Sequence, residues 1–117
     1  MKKVNKAWGY ELWWADVPGK YLGKILHINK GHRFSLQYHK KKDESMYILK
    51  GVAELDFIPE SSTDYKHPGL IKKVGDCIFI PHQTIHRITA IEDLDIIEVS
   101  SYYPDDVVRL QDDYGRI

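Results

Sequence analysis

An all-β jelly roll is the fold this sequence predicts, and three features carry the prediction. Most of the chain between Tyr21 and Ser101 breaks into short β-favouring runs punctuated by Gly, Pro and Asp, the pattern of a sandwich or barrel. Eight such runs are present, which suits a jelly roll. Two spaced motifs, Gly31-x5-Gln37-x-His39-x4-Glu44-x6-Gly51 and Gly75-x5-Pro81-x4-His86, place polar residues where strands begin or end.

In chain order, residues 1–20 read as an N-terminal arm and 21–103 as the barrel. The expected strands are Tyr21 to Ile28, Phe34 to His39, Ser45 to Leu49, Val52 to Ile58, Gly69 to Lys73, Asp76 to Ile80, His86 to Ala90 and Asp95 to Ser101. Ile58 to Gly69 is polar and rich in breakers, an exposed hairpin loop rather than a linker. The tail, 104–117, opens with Pro104-Asp105-Asp106 ahead of Val107-Val108-Arg109-Leu110. Acids before an apolar pair predict a short capped helix.

Size and charge narrow the function. The 117 residues suffice for one domain with one core. Seventeen basic residues balance seventeen acidic ones, so no net field draws the chain to nucleic acid or an acidic membrane. No apolar stretch approaches a membrane span, and the basic start runs into Trp8-Gly9-Tyr10 rather than a signal core. Cys77 is the single cysteine and has no partner for an intramolecular disulfide. A reduced, cytoplasmic protein is the expectation.

Strand parity turns the motifs into a candidate metal site. Gln37 and His39 are two apart and share one face of a pleat. On that reading Ser35 and Arg33 share it too, and Phe34, Leu36 and Tyr38 cover the other. Glu44 shares its face with Met46 and Ile48, a ligand at the mouth with apolar packing behind it. Thr84, His86 and Ile88 align similarly, and Asp76, Ile78 and Ile80 supply a floor. An amide oxygen, two imidazoles and a carboxylate suit one divalent ion, Zn, Mn, Fe, Co or Ni. Taken singly, His27, His32, His67 and His82 read as hydrogen-bonded residues. Lys40-Lys41-Lys42 reads as a solvated turn, with Lys42 close enough to Glu44 to reach an anionic ligand.

Both motifs resemble the two motifs of the cupin superfamily, a jelly-roll fold. Within it the chain is most similar to the cupin domain of type II mannose-6-phosphate isomerases, often fused behind a guanylyltransferase domain that these residues do not contain. The likeness runs through Lys6 to Glu11, Arg33 to His39, Ile80-Pro81 with Thr84 to Arg87, Ile97-Glu98-Val99, Asp105 to Leu110 and Asp113 to Arg116.

The resemblance implies metal binding by Gln37, His39, Glu44 and His86, and aldose to ketose interconversion of a hexose 6-phosphate. Glu98 is the candidate base; its other reading is a buried carboxylate paired with Arg33. Arg109, Arg116 and Lys24 are candidates for gripping the phosphate or the enediolate. Arg109 has a second reading, docking the terminal helix through Asp105 or Asp112. Arg33, Lys42 and His82 complete the expected substrate contacts.

The chain departs from the family at His82-Gln83, where Ala-Gly is usual, at Lys40-Lys41-Lys42 for His-His-Arg, and at Met46 for Trp. His27 stands at a small or hydroxyl position. These changes flank the substrate position and imply a different sugar on a retained metal site. An isomerase or epimerase of another phosphorylated or nucleotide-linked sugar, an iron oxygenase and a non-catalytic sugar-binding module are the alternatives. A homodimer is expected. Trp8, Trp13 and Trp14 are available to staple the arm, cover an interface or lid the barrel.

Overall fold

The computed structural model describes residues 1–58 and 69–117, so the loop expected between Ile58 and Gly69, with His67, lies outside the described residues. Eleven strands are present among them: β1 Lys2–Lys6, β2 Gly9–Val17, β3 Tyr21–Ile28, β4 Leu36–Tyr38, β5 Glu44–Lys50, β6 Val52–Ile58, β7 Leu70–Lys73, β8 Cys77–Ile80, β9 Ile85–Ala90, β10 Leu94–Ser101 and β11 Val108–Gln111. They form a six-stranded sheet, β1-β2-β3-β10-β5-β8, and a five-stranded sheet, β11-β4-β9-β6-β7.

Period-two patterning builds both layers. On β5, Glu44, Met46 and Ile48 are buried while Ser45, Tyr47 and Leu49 face out. On β10, Leu94, Ile96, Glu98 and Ser100 point inward. Ile28, Ile48, Ile80, Leu94 and Ile96 of the larger sheet meet Ala53, Leu55, Ile88 and Ala90 of the smaller one in a single core. Ile48, Ile80, Ile88 and Ile96 are wholly inaccessible, and each contributes about 2–3 kcal/mol of apolar transfer free energy. Gly51 makes the sharp β5–β6 link at φ +88°, where a Cβ would lie 2.1 Å from the Asp93 carbonyl oxygen.

Three expectations change. Residues 108–111 form a strand, and no helix occurs among the described residues. Val108 and Arg109 pair with Tyr38 and Gln37 instead of starting a helical turn, because the open edge of β4 accepts their backbone groups. The segment read as an arm is a hairpin: β1 and β2 pair over five residues and extend the larger sheet through β3. Parity keeps Ser35, Gln37 and His39 on one side but fails for Arg33 and Phe34. The chain before β4 is irregular, so Phe34 turns inward and packs edge-on against Trp8, with ring centroids 4.7 Å apart.

The tryptophans divide by position. Trp8 is in the core, Trp13 lies at the cavity wall described below, and Trp14 lies outside on Gly23.

Candidate metal centre and cavity

The two sheets separate at one end around a cavity of about 280 Å³. At its base His39 follows β4, Glu44 begins β5 and His86 lies on β9, so strands far apart in sequence bring the three together. Their ligand atoms lie within 4.8 Å of one another, and all three residues are buried. His39 Nε2 is 3.2 Å and His86 Nε2 3.3 Å from the same oxygen, Glu44 Oε1.

The opposite ring nitrogens fix how each imidazole presents its lone pair. His39 Nδ1 donates to the main-chain carbonyl of Asp106 at 2.5 Å, and His86 Nδ1 donates to that of Thr84 at 2.8 Å. A carbonyl only accepts, so each ring carries its proton on Nδ1, and in the neutral form Nε2 presents a bare lone pair. Two lone pairs then face a carboxylate oxygen. His86 Nε2 is buried without a hydrogen-bond partner. A cation placed among the three removes the repulsion, and carbonyl-oriented imidazoles are the usual support of metal-binding histidines. These residues fit a divalent ion.

Gln37 is the direct cross-strand neighbour of His86 and lines the cavity. Its Oε1 accepts from Ser35 Oγ at 2.7 Å, which fixes the amide and leaves a second lone pair on that oxygen.

Charge is packed closely beside this cluster. Lys42 is buried with Nζ 3.4 Å from Glu44 Oε2 and 3.6 Å from Glu98 Oε1. Burial and the charge of Glu44 push the Glu98 carboxyl up to about 7, against the pull of Lys42 and Lys24. Burial opposes ionisation of Glu44 as well, but the adjacent charge of Lys42 favours its carboxylate form. For Lys42, burial is outweighed by the two carboxylates, which raise it.

Other basic groups complete the wall. Lys24 Nζ is 3.2 Å from Glu11 Oε1 and stands 4.5 Å from the centre of the Trp13 ring, over which Lys2 also lies at 4.4 Å. Arg109 lines the cavity with its Nε buried and without a hydrogen-bond partner. Arg116 also lines it, held by Asp112 through Nη2 at 2.7 Å and Nε at 3.1 Å.

Not every expected residue reaches this place. Gln37, His39, Glu44, Lys24, Lys42, Glu98, Arg109 and Arg116 all border the cavity, and His86 lies beneath it. Arg33 does not: its guanidinium forms a two-pronged pair with Asp113 at 2.6 and 2.8 Å, because the irregular start of β4 turns it to the surface. Glu98 is therefore paired with Lys42, not Arg33. His82 is exposed and bonded to Asp43 at 2.8 Å, outside the cavity. Arg109 docks no helix, and Asp112, one of its two expected partners, is taken by Arg116.

Sequence reasoning missed Glu11, Lys2 and Lys6, which line the cavity from the hairpin, and Asp106. Alternation across Lys2, Val4 and Lys6, all three on the cavity side, is the signal that marks β1.

Comparison with known proteins follows the same residues. The family model described as mannose-6-phosphate isomerase C-terminal matches residues 1–112. The alginate biosynthesis protein AlgA of Pseudomonas aeruginosa is 30% identical over 120 residues, covering 97% of this chain and 23% of the relative. The mannose-1-phosphate guanylyltransferase of Escherichia coli is 30% identical over 124 residues, covering 99% and 23%. The chain thus spans about a quarter of the length of the curated relatives it matches. A sugar phosphate isomerase of the cupin superfamily from Silicibacter pomeroyi superposes with a TM-score of 0.69 at 18% identity, covering 89% of this chain and 66% of that one, a likeness of fold.

Proposed function

Because the chain belongs to the mannose-6-phosphate isomerase C-terminal family, a cupin family, we propose that it is a metal-dependent sugar-phosphate isomerase interconverting an aldose and a ketose. The observation that carries the reading is the pair of bare Nε2 atoms converging on Glu44 beside a buried Glu98–Lys42 pair.

Gln37, His39, Glu44 and His86 would hold the ion, which when bound supplies positive charge to oxygens that become anionic during enolisation. Glu98 would take the proton from C2 of the aldose and return it to C1, while a proton passes from the C2 hydroxyl to the C1 oxygen. Lys42, between the two carboxylates, favours the ionised form of each and so opposes the burial that raises Glu98, whose carboxyl near 7 suits a group that takes and returns a proton at neutral pH. Arg109, with its unpartnered Nε, is the residue we assign to the phosphate, and Lys24 to a sugar oxygen. Leu26, Phe34 and Met46 supply the apolar part of the cavity lining, against which the C–H face of a sugar would pack.

The basic wall favours an anionic sugar. Of the departures from the family, Lys42 and Met46 line the cavity and favour a sugar other than mannose 6-phosphate, so a different phosphorylated or nucleotide-linked sugar is the second reading. The test is metal analysis of the purified protein, then an isomerase assay of the metal-loaded sample against mannose 6-phosphate, fructose 6-phosphate and a panel of sugar phosphates. Stoichiometric metal, its loss in His39→Ala and turnover of one panel member are the expected results. Absence of metal overturns the reading; metal without turnover of any sugar overturns the isomerase assignment and leaves a binding module.

A further inference from the structure

We infer that Asp106, which is not among the candidate ligands, is the positioning residue that holds the 39–43 loop in its metal-ligating shape. The inference rests on the metal site proposed above. Its main-chain carbonyl accepts the Nδ1 proton of His39 and so aims Nε2 at Glu44. Its carboxylate accepts three successive backbone N–H groups, with Oδ1 taking Lys40 at 3.0 Å and Oδ2 taking Lys41 at 2.8 Å and Lys42 at 2.9 Å. Three consecutive donors converging on one anion form a concave nest of backbone dipoles.

The loop needs such a device. It has no strand of its own, and it carries the chain from β4 in the smaller sheet to β5 in the larger one across the mouth of the cavity. Its carbonyl side is held from the β8–β9 turn: the Gln83 N–H donates to the His39 carbonyl at 2.7 Å and Gln83 Nε2 to that of Lys40 at 3.1 Å. Gln83 does this from a φ of +65°, a conformation non-glycine residues rarely adopt. The N–H side is left to Asp106. Winding around its carboxylate leaves Lys40 and Lys41 in solvent and turns Lys42 inward to Glu44 and Glu98. One residue thus sets the direction of a ligand imidazole and of the buried ammonium.

Asp106 is itself delivered by a fixed turn, with its N–H bonded to the Tyr103 carbonyl at 3.2 Å. The acid that looks from sequence like a helix cap does cap backbone donors, but those of a segment more than sixty residues away.

Two measurements test this. The first is competition of Mn²⁺ between the full chain and a chromogenic chelator for wild type, Asp106→Ala and Asp106→Asn. Supporting partners of metal ligands are worth about ten- to a hundred-fold in affinity, so Asp106→Ala should weaken Mn²⁺ binding by that factor. Asp106→Asn, whose amide oxygen still accepts, should recover most of the loss. The second is backbone amide hydrogen exchange of Lys40, Lys41 and Lys42 without metal, which should be protected in wild type and lose protection in Asp106→Ala. An Asp106→Ala protein that folds and binds Mn²⁺ within about twofold of wild type overturns the inference. So does rapid exchange of the three amides in wild type, which decides the matter even where the alanine variant fails to fold. A wild type that binds no divalent ion yet protects the three amides would defeat the metal reading and reduce Asp106 to a structural clamp, which also overturns the role assigned here.

Discussion

Replacing Lys42 with methionine removes the ammonium and keeps the apolar stem. With Nζ at 3.4 Å from one carboxylate oxygen and 3.6 Å from another, each attraction is about 5 kcal/mol at an effective dielectric constant of about 20. Desolvating a buried ammonium returns several kcal/mol of this, so the loss on leaving Glu44 and Glu98 without their cation is about 3 kcal/mol. An unfolding entropy of about 2.1 cal/mol/K per residue over 117 residues converts this to a fall in Tm of about 12 °C. The assay is thermal unfolding at neutral pH with a chelator, repeated with Mn²⁺ in excess. The rise on adding Mn²⁺ should be larger in the variant than in wild type, since the ion then supplies the missing cation. If Lys42→Met under chelator melts within about 3 °C of wild type, the ammonium is not neutralising a buried carboxylate pair and the electrostatic account fails.

Glu98→Gln should lower turnover at least about a hundredfold, the usual worth of a positioned base, with Mn²⁺ stoichiometry unchanged; unaltered turnover would exclude Glu98 as the base. Ile48→Ala should cost about 3–4 kcal/mol by denaturant unfolding, because Ile48 is wholly buried between the sheets. Asp112 is held down to about 2, chiefly by its hydrogen bond from Arg116. A depressed carboxylate contributes stability that is present above its ordinary pKa near 3.8 and lost as pH falls through its folded value, so the advantage of wild type over Asp112→Asn should vanish between about pH 4 and pH 2. Arg116 reaches solvent, so that advantage should be about 1 kcal/mol, measured as unfolding free energy against pH.

The eight central strands were legible because their burial is periodic: β5 and β10 alternate through the chain as they alternate through space. The metal candidates were legible for the same reason, since Gln37 and His39 need only strand parity, and Glu44 and His86 mark the start of buried faces. What failed was decided between segments distant in sequence. Four residues, Val108–Gln111, carry too little pattern to separate a strand from a helical turn, and the edge of β4 made the choice. Arg33 was assigned by extending parity past Ser35, where the chain is irregular, and its partner Asp113 lies 80 residues away. His82 lies in the turn before β9 beside Asp43, and no local spacing reveals that pair.

The two sheets are joined by different physics at their two ends. At one end Ile28, Ile48, Leu94 and Ile96 of the larger sheet pack on Ala53, Leu55, Ile88 and Ala90 of the smaller; at the other, His39 and His86 face Glu44, beside Lys42 and Glu98. Apolar exposure raises the heat capacity of unfolding and polar exposure lowers it. Cavities cut at the apolar end should therefore flatten the curve of stability against temperature, whereas charge removal at the mouth should lower that curve without flattening it. On cooling the apolar seam weakens, and an ion held among His39, Glu44 and His86 would then carry more of the join between the sheets.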